Sequence, residues 1–176
     1  RGGEGKGSAS VNVVTQLGFV SRGLQKSGAF PNTGPLPPRV SEETTYTISW
    51  SLTSSANDME GVSVRASLPA NVQWRNATAP AGEHITYDPD TREVVWDAGF
   101  VVAGTGYARP AREASFQVSL VPGVSDVGDE PVLVSAAMAA GQDTFTGFRI
   151  EQKSAAVTTR VLSDPEVQNN EYEVVQ

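Results

Sequence analysis

The chain has 176 residues, no cysteine, and a formal net charge of −7 from 13 Lys plus Arg and 20 Asp plus Glu. The absence of cysteine excludes thiolate catalysis, disulfide bonds and cysteine-ligated zinc. An acidic surface repels phosphate backbones, so we expect no nucleic-acid partner. No stretch approaches the roughly 18 apolar residues of a membrane-spanning helix, so we expect no direct membrane span in this segment.

The first residues indicate a linker followed by a strand. Residues 1–9 hold four glycines and no apolar periodicity, which is typical of a flexible linker. From residue 10 the apolar residues share one parity, which predicts a first strand over 10–20. Because the chain starts with Arg1 rather than Met, we expect a longer protein whose anchor lies upstream of residue 1.

A proline-rich stretch follows this first strand. Residues 31–38 contain four prolines, and proline removes a backbone donor, so the stretch cannot be a central strand. We expect a polyproline II crossing between two sheets, packed against the domain.

The clearest strand signal lies at 45–53. Tyr46, Ile48, Trp50 and Leu52 fall on one side of this stretch, and small hydroxyl residues fall on the other. Successive side chains of a strand point to opposite faces, so the pattern predicts one buried and one solvated face.

The same alternation recurs along the chain, with Gly, Pro and Asp turns between the strands. Further strands are predicted at 61–68, 72–74, 82–87, 92–97, 115–120, 132–140, 144–150 and 155–162. No window predicts a helix. About nine strands at this spacing predict an all-β, immunoglobulin-like two-sheet β-sandwich over residues 10–162, with a closed barrel as the less favoured alternative.

The last residues, 163–176, form an acidic tail without a basic residue. We expect this tail to be loose. The alternative is that Tyr172, Val174 and Val175 dock as a strand.

Four sequence strings follow one another along the chain: TTYTISW at 44–50, LPANVQW at 68–74, VVWDAG at 94–99 and REASFQV at 112–118. This order of strings resembles the DUF11 family of bacterial and archaeal surface proteins. The resemblance covers about residues 40–121, although residues 54–59 are longer than the family pattern. Residues 34–38 and 143–147 resemble large surface proteins of candidate-phyla (Patescibacteria-like) bacteria. The resemblance implies an extracellular immunoglobulin-like module of a stalk, adhesin or envelope protein, with neighbouring domains of the same polypeptide as partners and no catalytic residues.

The sequence contains no recognisable set of catalytic groups, so we expect that the chain is not an enzyme. His84 is the only histidine, and no Gly-x-Ser-x-Gly motif accompanies it. We therefore interpret His84 as a surface or edge residue. Asp88 and Asp90 are close in sequence, but a turn with Pro89 between them explains both.

A calcium site is the main metal hypothesis, because Ca²⁺ prefers carboxylate and carbonyl oxygens. Asp126, Asp129 and Glu130 lie in one predicted loop, and Asp143 begins a later strand. Their spacing matches no EF-hand, so solvated loop acids are the favoured alternative. No other cofactor is indicated.

Three aromatic residues are candidates for ligand binding: Trp74, Tyr107 and Phe30. Trp50 and Trp96 have core parity, whereas Trp74 follows a turn on a short strand. A glycan- or protein-binding module would use the loops 31–38 and 99–112, with these aromatics exposed near them. The leading hypothesis is a non-catalytic structural or adhesive module at the cell surface. A third hypothesis is a filament subunit that donates strand 10–20 or the acidic tail to a neighbouring subunit.

Overall fold

The structure is a computed structural model that describes residues 13–176. It contains eleven strands, and the one helix among the described residues is a single 3₁₀ turn at Val124–Asp126. The prediction of an all-β, immunoglobulin-like two-sheet sandwich without substantial helix is therefore confirmed.

The strands are β1 (Leu17–Leu24), β2 (Thr44–Ser54), β3 (Met59–Ser67), β4 (Val72–Ala79), β5 (His84–Asp88), β6 (Glu93–Val101), β7 (Arg112–Leu120), β8 (Val132–Val134), β9 (Met138–Asp143), β10 (Arg149–Lys153) and β11 (Val157–Thr158). A four-stranded sheet has the order β1-β2-β7-β4, and a five-stranded sheet has the order β10-β9-β3-β6-β5. Strands β11 and β8 form a small third pair.

Several strand predictions differ from the structure in their bounds. The predicted strand 132–140 is divided into β8 and β9, and the predicted strand 155–162 contains only the two residues of β11. Strand β1 begins at Leu17, later than predicted, and residues 10–12 lie outside the described residues, as does the predicted linker 1–9.

The apolar side of β2 forms the centre of the core. Tyr46, Ile48, Trp50 and Leu52 are fully buried. Trp50 meets Phe116 of β7 edge to face, with ring centroids 4.9 Å apart. Burial of each large side chain contributes about 1.5–3 kcal/mol relative to leaving it exposed.

The other side of β2 is also covered, so the prediction of a solvated hydroxyl face is wrong. The segment after β1 lies across this face: the Asn32 side-chain amide donates to Thr47 Oγ1 at 3.0 Å, and the Thr33 N–H donates to Thr45 Oγ1 at 2.7 Å. Thr45 and Thr47 are buried in consequence. The hydroxyl groups of β2 bind a second layer of chain in place of water.

The acidic tail packs against the same domain and is not loose. Tyr172 and Val174 are buried, and Val174 and Val175 form parallel bridges with Val127 and Arg39. The docked alternative holds in part: the apolar residues of the tail cover part of the core, but Val174 and Val175 form isolated bridges and no strand.

We name the two ends of the sandwich by the described residue that lies at each, Val13 at the N-terminal pole and Gln176 at the C-terminal pole. The N-terminal pole comprises residues 13–16, 54–58, 102–111 and 143–148, and the C-terminal pole comprises residues 38–43, 121–131 and 172–176. At the N-terminal pole, Leu17 of β1 pairs with Ser54 at the end of β2. At the C-terminal pole, the Val175 N–H donates to Pro38 O at 2.9 Å, shortly before β2 begins. Strand β2 has 11 residues and spans about 35 Å between the poles at about 3.4 Å per residue.

Candidate interaction surfaces

A buried carboxylate fastens the N-terminal pole together. Asp143, at the end of β9, is fully buried. Its Oδ2 accepts hydrogen bonds from the Thr15 N–H and the Asn57 side-chain amide, both at 2.9 Å. Its Oδ1 accepts from the N–H groups of Phe145 and Thr146, also at 2.9 Å. One carboxylate thus joins three chain segments that are far apart in sequence.

These four donors also determine the charge of Asp143. Burial alone would raise the pKa of this carboxyl, but the hydrogen bonds from Asn57, Thr15, Thr146 and Phe145 outweigh burial and lower the pKa below its usual value. Asp143 is therefore ionised at neutral pH, and both of its oxygens accept hydrogen bonds from protein groups.

The segment that leads into β1 is held at this pole by further hydrogen bonds. The Asn57 side-chain amide donates to Val13 O at 2.8 Å. The Gln16 N–H donates to Ser55 Oγ at 2.8 Å, and the Ser55 N–H donates back to Gln16 O at 3.1 Å. The chain therefore enters β1 in a fixed position relative to the β2–β3 turn.

The predicted calcium residues do not form one site. Asp143 lies at the N-terminal pole, whereas Asp126, Asp129 and Glu130 lie at the C-terminal pole. Asp126 accepts the Gly123 N–H at 2.7 Å, and Glu130 pairs with an arginine at 3.3 Å. Within residues 13–176, no group of three His, Asp or Glu side chains is placed to hold a metal ion.

The N-terminal pole carries a set of exposed aromatic side chains, which we call the aromatic rim. It consists of Phe100, near the end of β6 beside this pole, and of Tyr107, Phe145 and Phe148 within it; their exposed fractions are 54%, 67%, 65% and 63%. Val13, at 59% exposed, lies at the same pole. Large apolar side chains grouped in this way mark contact surfaces more often than scattered ones do.

Sequence reasoning identified only one member of the rim as a binding candidate. Phe145 and Phe148 were expected in a strand over 144–150, but residues 144–148 form the turn between β9 and β10. The turn signal was Gly147, whose positive φ of 72° favours glycine.

The three predicted ligand-binding aromatics lie apart. Tyr107 belongs to the rim. Trp74 stacks on Tyr87 with centroids 5.4 Å apart and planes 13° apart, and so closes one edge between the two sheets. Phe30 is half-buried in the segment that covers β2. The two predicted binding loops also separate, because 31–38 packs on β2 and 102–111 lies at the N-terminal pole.

His84 lies exposed on the edge strand β5, as predicted for a surface histidine. Its neighbour Glu83 has the more constrained position: it accepts the Arg112 Nε–H at 2.9 Å and the Trp96 indole N–H at 2.8 Å. Burial raises the pKa of Glu83, but these hydrogen bonds and the Arg112 charge outweigh burial and lower it. The Glu83 carboxylate thus links β6, through Trp96, to β7 of the other sheet, through Arg112.

The strand-donation hypothesis required a first strand detached from its own domain. Strand β1 instead pairs with β2 over eight residue pairs, from Leu17↔Ser54 to Leu24↔Thr47. The acidic tail is also bound to its own domain through Val174 and Val175. Both segments that could be donated already have partners within the chain.

The part of the chain that the structure describes has no helix with the length and apolarity needed to cross a membrane.

Comparisons with known proteins identify the fold. No family model and no curated protein matches the chain. Its structure is similar to a variant of BcpA, the major pilin subunit of Bacillus cereus, with 15% identity, a TM-score of 0.50, and coverage of 81% of this chain and 40% of that one. It is also similar to the major pilin SpaD from Corynebacterium diphtheriae, with 11% identity, a TM-score of 0.44, and coverage of 81% and 34%. The chain thus spans less than half the length of these pilins, and the likeness to the BcpA variant shows the fold.

Proposed function

We propose that the chain is a non-catalytic, extracellular structural module of a larger bacterial cell-surface protein, of the DUF11-like kind that its sequence strings resemble. Its partners are neighbouring domains of the same polypeptide, and a segment upstream of residue 1 anchors it. The observation that carries the proposal is that the chain enters the sandwich at one pole and reaches its last strand bridge at the other.

Termini at opposite poles suit a module that lies in series with its neighbours. Val13 is fixed at the N-terminal pole by the Asn57 side chain, and Val175 is fixed at the C-terminal pole by Pro38 and Val40. Each such module adds its full length, about 35 Å, to the distance between the domains on either side.

The fold supports the surface location. The BcpA variant is a major pilin subunit, and this chain shares its fold over 81% of its own length. The absence of cysteine is compatible with this location, because a chain of 176 residues can bury a sufficient core without disulfides.

Two experiments test the proposal. Two copies joined in series through residues 1–12 should have a maximum dimension, measured by small-angle X-ray scattering, that exceeds that of one copy by at least about 35 Å. Two copies that pack side by side, with little gain in length, would contradict the in-series arrangement. An antibody against the domain should label intact producing cells, and labelling only after permeabilisation would contradict the surface location.

The aromatic rim supports a second candidate function, which is binding of a protein or glycan at the N-terminal pole. The supporting observation is the group of four aromatic side chains that are each more than half exposed. Aromatic side chains supply much of the contact energy at interfaces.

A comparison of surface variants tests this second function. The double substitution Phe145→Ser and Phe148→Ser should loosen the junction of the two-copy chain and increase protease cleavage within residues 1–12 of the second copy. The control is Val20→Ser with Leu162→Ser, two exposed positions away from both poles. Equal cleavage in both variants would show that the rim makes no contact with the neighbouring domain.

A further inference from the structure

We propose that β1 and Asp164 together form a mechanical clamp that resists tension applied between the two poles. This inference rests on the proposed in-series arrangement, because only a module with neighbours at both poles is pulled in that direction. The clamp has three parts: the β1–β2 ladder, the contacts of Asp164 with the residues after β1, and the close packing at Gly23.

The orientation of β1 determines how a pull acts on the ladder. Strand β1 is an edge strand, and its eight residue pairs are all with β2. It runs from the N-terminal pole towards the C-terminal pole, so a pull on Val13 acts along the strand. The hydrogen bonds of an antiparallel pair are perpendicular to the strands. The pull therefore shears all eight residue pairs together instead of opening them one after another.

Asp164 binds the backbone that directly follows β1. Its Oδ2 accepts the N–H groups of Gln25, Lys26 and Ser27 at 2.7, 2.7 and 3.0 Å. Its Oδ1 accepts the Glu166 N–H at 3.1 Å. Asp164 is 2% exposed, and hydrogen bonds to an ionised acceptor are about twice as strong as those between neutral groups.

The ionised state of Asp164 follows from the same contacts. Burial raises the pKa of this carboxyl, but the N–H groups of Ser27, Gln25, Glu166 and Lys26 outweigh burial and lower it. The carboxylate therefore keeps its charge, and its full set of bonds, at neutral pH.

These contacts join the first strand directly to the last segment of the chain. Asp164 is 139 residues away from Gln25 in sequence, and it leads into the tail that ends at the C-terminal pole. A second link is the ion pair between Lys26 Nζ and Glu171 Oε2 at 2.8 Å. Tension that enters through β1 thus passes to the tail through residues 25–27, without first separating the two sheets.

Packing at Gly23 opposes sliding of β1 along β2. A Cβ atom at Gly23 would lie 2.8 Å from Val157 Cγ1 and 2.9 Å from Val161 Cγ1. Side chains of one face recur every second residue. A slide of β1 by two residues towards the N-terminal pole would therefore bring the Gln25 side chain to the position of Gly23. Two valine side chains would then have to move before the ladder could re-form in a new register.

Single-molecule pulling from two directions tests the clamp. The chain has no cysteine, so engineered thiols give unique handles. Handles at Val13→Cys and Gln176→Cys load the ladder in shear. Handles at Val13→Cys and Ala56→Cys, both at the N-terminal pole, peel β1 from one end. We expect the first geometry to require a several-fold higher rupture force, and equal forces would overturn the proposal.

The substitution Asp164→Asn tests the second part of the clamp. It should lower the rupture force in the shear geometry and leave the first rupture in the peel geometry unchanged, because peeling begins at the contacts of residues 13–16 with Ser55 and Asn57. Asp129→Asn, an exposed acid at the C-terminal pole, is the matched control and should change neither force. If Asp164→Asn lowered both forces equally, Asp164 would stabilise the fold without acting as a clamp. These outcomes are independent of the scattering test, so the clamp can fail while the in-series arrangement holds.

Discussion

Replacing Asp143 by asparagine should destabilise the N-terminal pole more than any surface substitution of the same kind. The carboxylate accepts four hydrogen bonds while fully buried. Asparagine keeps one acceptor oxygen but turns an NH₂ group towards two of the four donors. The variant therefore loses two charge-assisted hydrogen bonds and leaves two buried donors unpaired.

The size of this effect follows from those lost contacts. A hydrogen bond to a charged group contributes about 1.5–3 kcal/mol, so the loss of two such bonds in Asp143→Asn should lower the free energy of unfolding by about 3–6 kcal/mol. For a chain of this length about 1 kcal/mol corresponds to about 2–4 °C, so the melting temperature should fall by about 6–24 °C. The total stability of such a domain is about 5–15 kcal/mol, so the loss is a large part of it.

Urea denaturation followed by tryptophan fluorescence measures this change, since Trp50 and Trp96 are fully buried. Asp129→Asn serves as the control and should stay within about 0.5 kcal/mol of the parent chain. A loss below about 1 kcal/mol in Asp143→Asn would refute the reasoning that this carboxylate joins the three segments.

Three further results are expected. The folded-state pKa values of Asp143 and Asp164 lie below their unfolded values. Their contribution to stability should therefore be complete above about pH 5 and should decrease as the pH falls below the unfolded pKa of about 3.9, which urea titrations at several pH values would show. An unchanged urea midpoint between pH 6 and pH 3 would contradict this expectation. Gly34→Ala should destabilise the chain by more than Gly61→Ala in thermal melts. Both glycines have positive φ, but only a Cβ atom at position 34 would collide with the backbone of β2. Equal losses of stability would show that the Pro-rich crossing does not pack closely against β2. Tyr46→Phe should leave the free energy of unfolding unchanged or raise it by about 1 kcal/mol, because the buried hydroxyl has no hydrogen-bond partner among the described residues. A loss of stability above about 1 kcal/mol would show that the hydroxyl does have a partner.

The alternating pattern of β2 predicted the core because burial of one strand face depends on local sequence. Tyr46, Ile48, Trp50 and Leu52 are all buried, and Trp96 is buried in the same core. The covering of the other face could not be predicted in the same way. It depends on hydrogen bonds from Asn32 and Thr33. These residues lie outside β2, so the alternating pattern of β2 carries no information about them.

The contacts of Asp143 could not be predicted from the sequence. Asp143 is a calcium candidate in the sequence because Ca²⁺ prefers carboxylate oxygens, and an isolated loop carboxylate and a carboxylate with four backbone and amide donors look alike in sequence. The donors Thr15 and Asn57 are 128 and 86 residues away, and only the folded chain brings them together. The aromatic rim was missed for a related reason, since its four members come from one strand and two separate loops.

The location of the two termini is the fact on which both proposals depend, and one distance tests it directly. Fluorescent dyes on Val13→Cys and Gln176→Cys should report a separation of about 30–40 Å by resonance energy transfer, as expected for opposite ends of an eleven-residue strand. The pair Val13→Cys and Ala56→Cys, both at the N-terminal pole, should give near-complete transfer. Near-complete transfer in the first pair as well would place both termini at one pole and would contradict an in-series module.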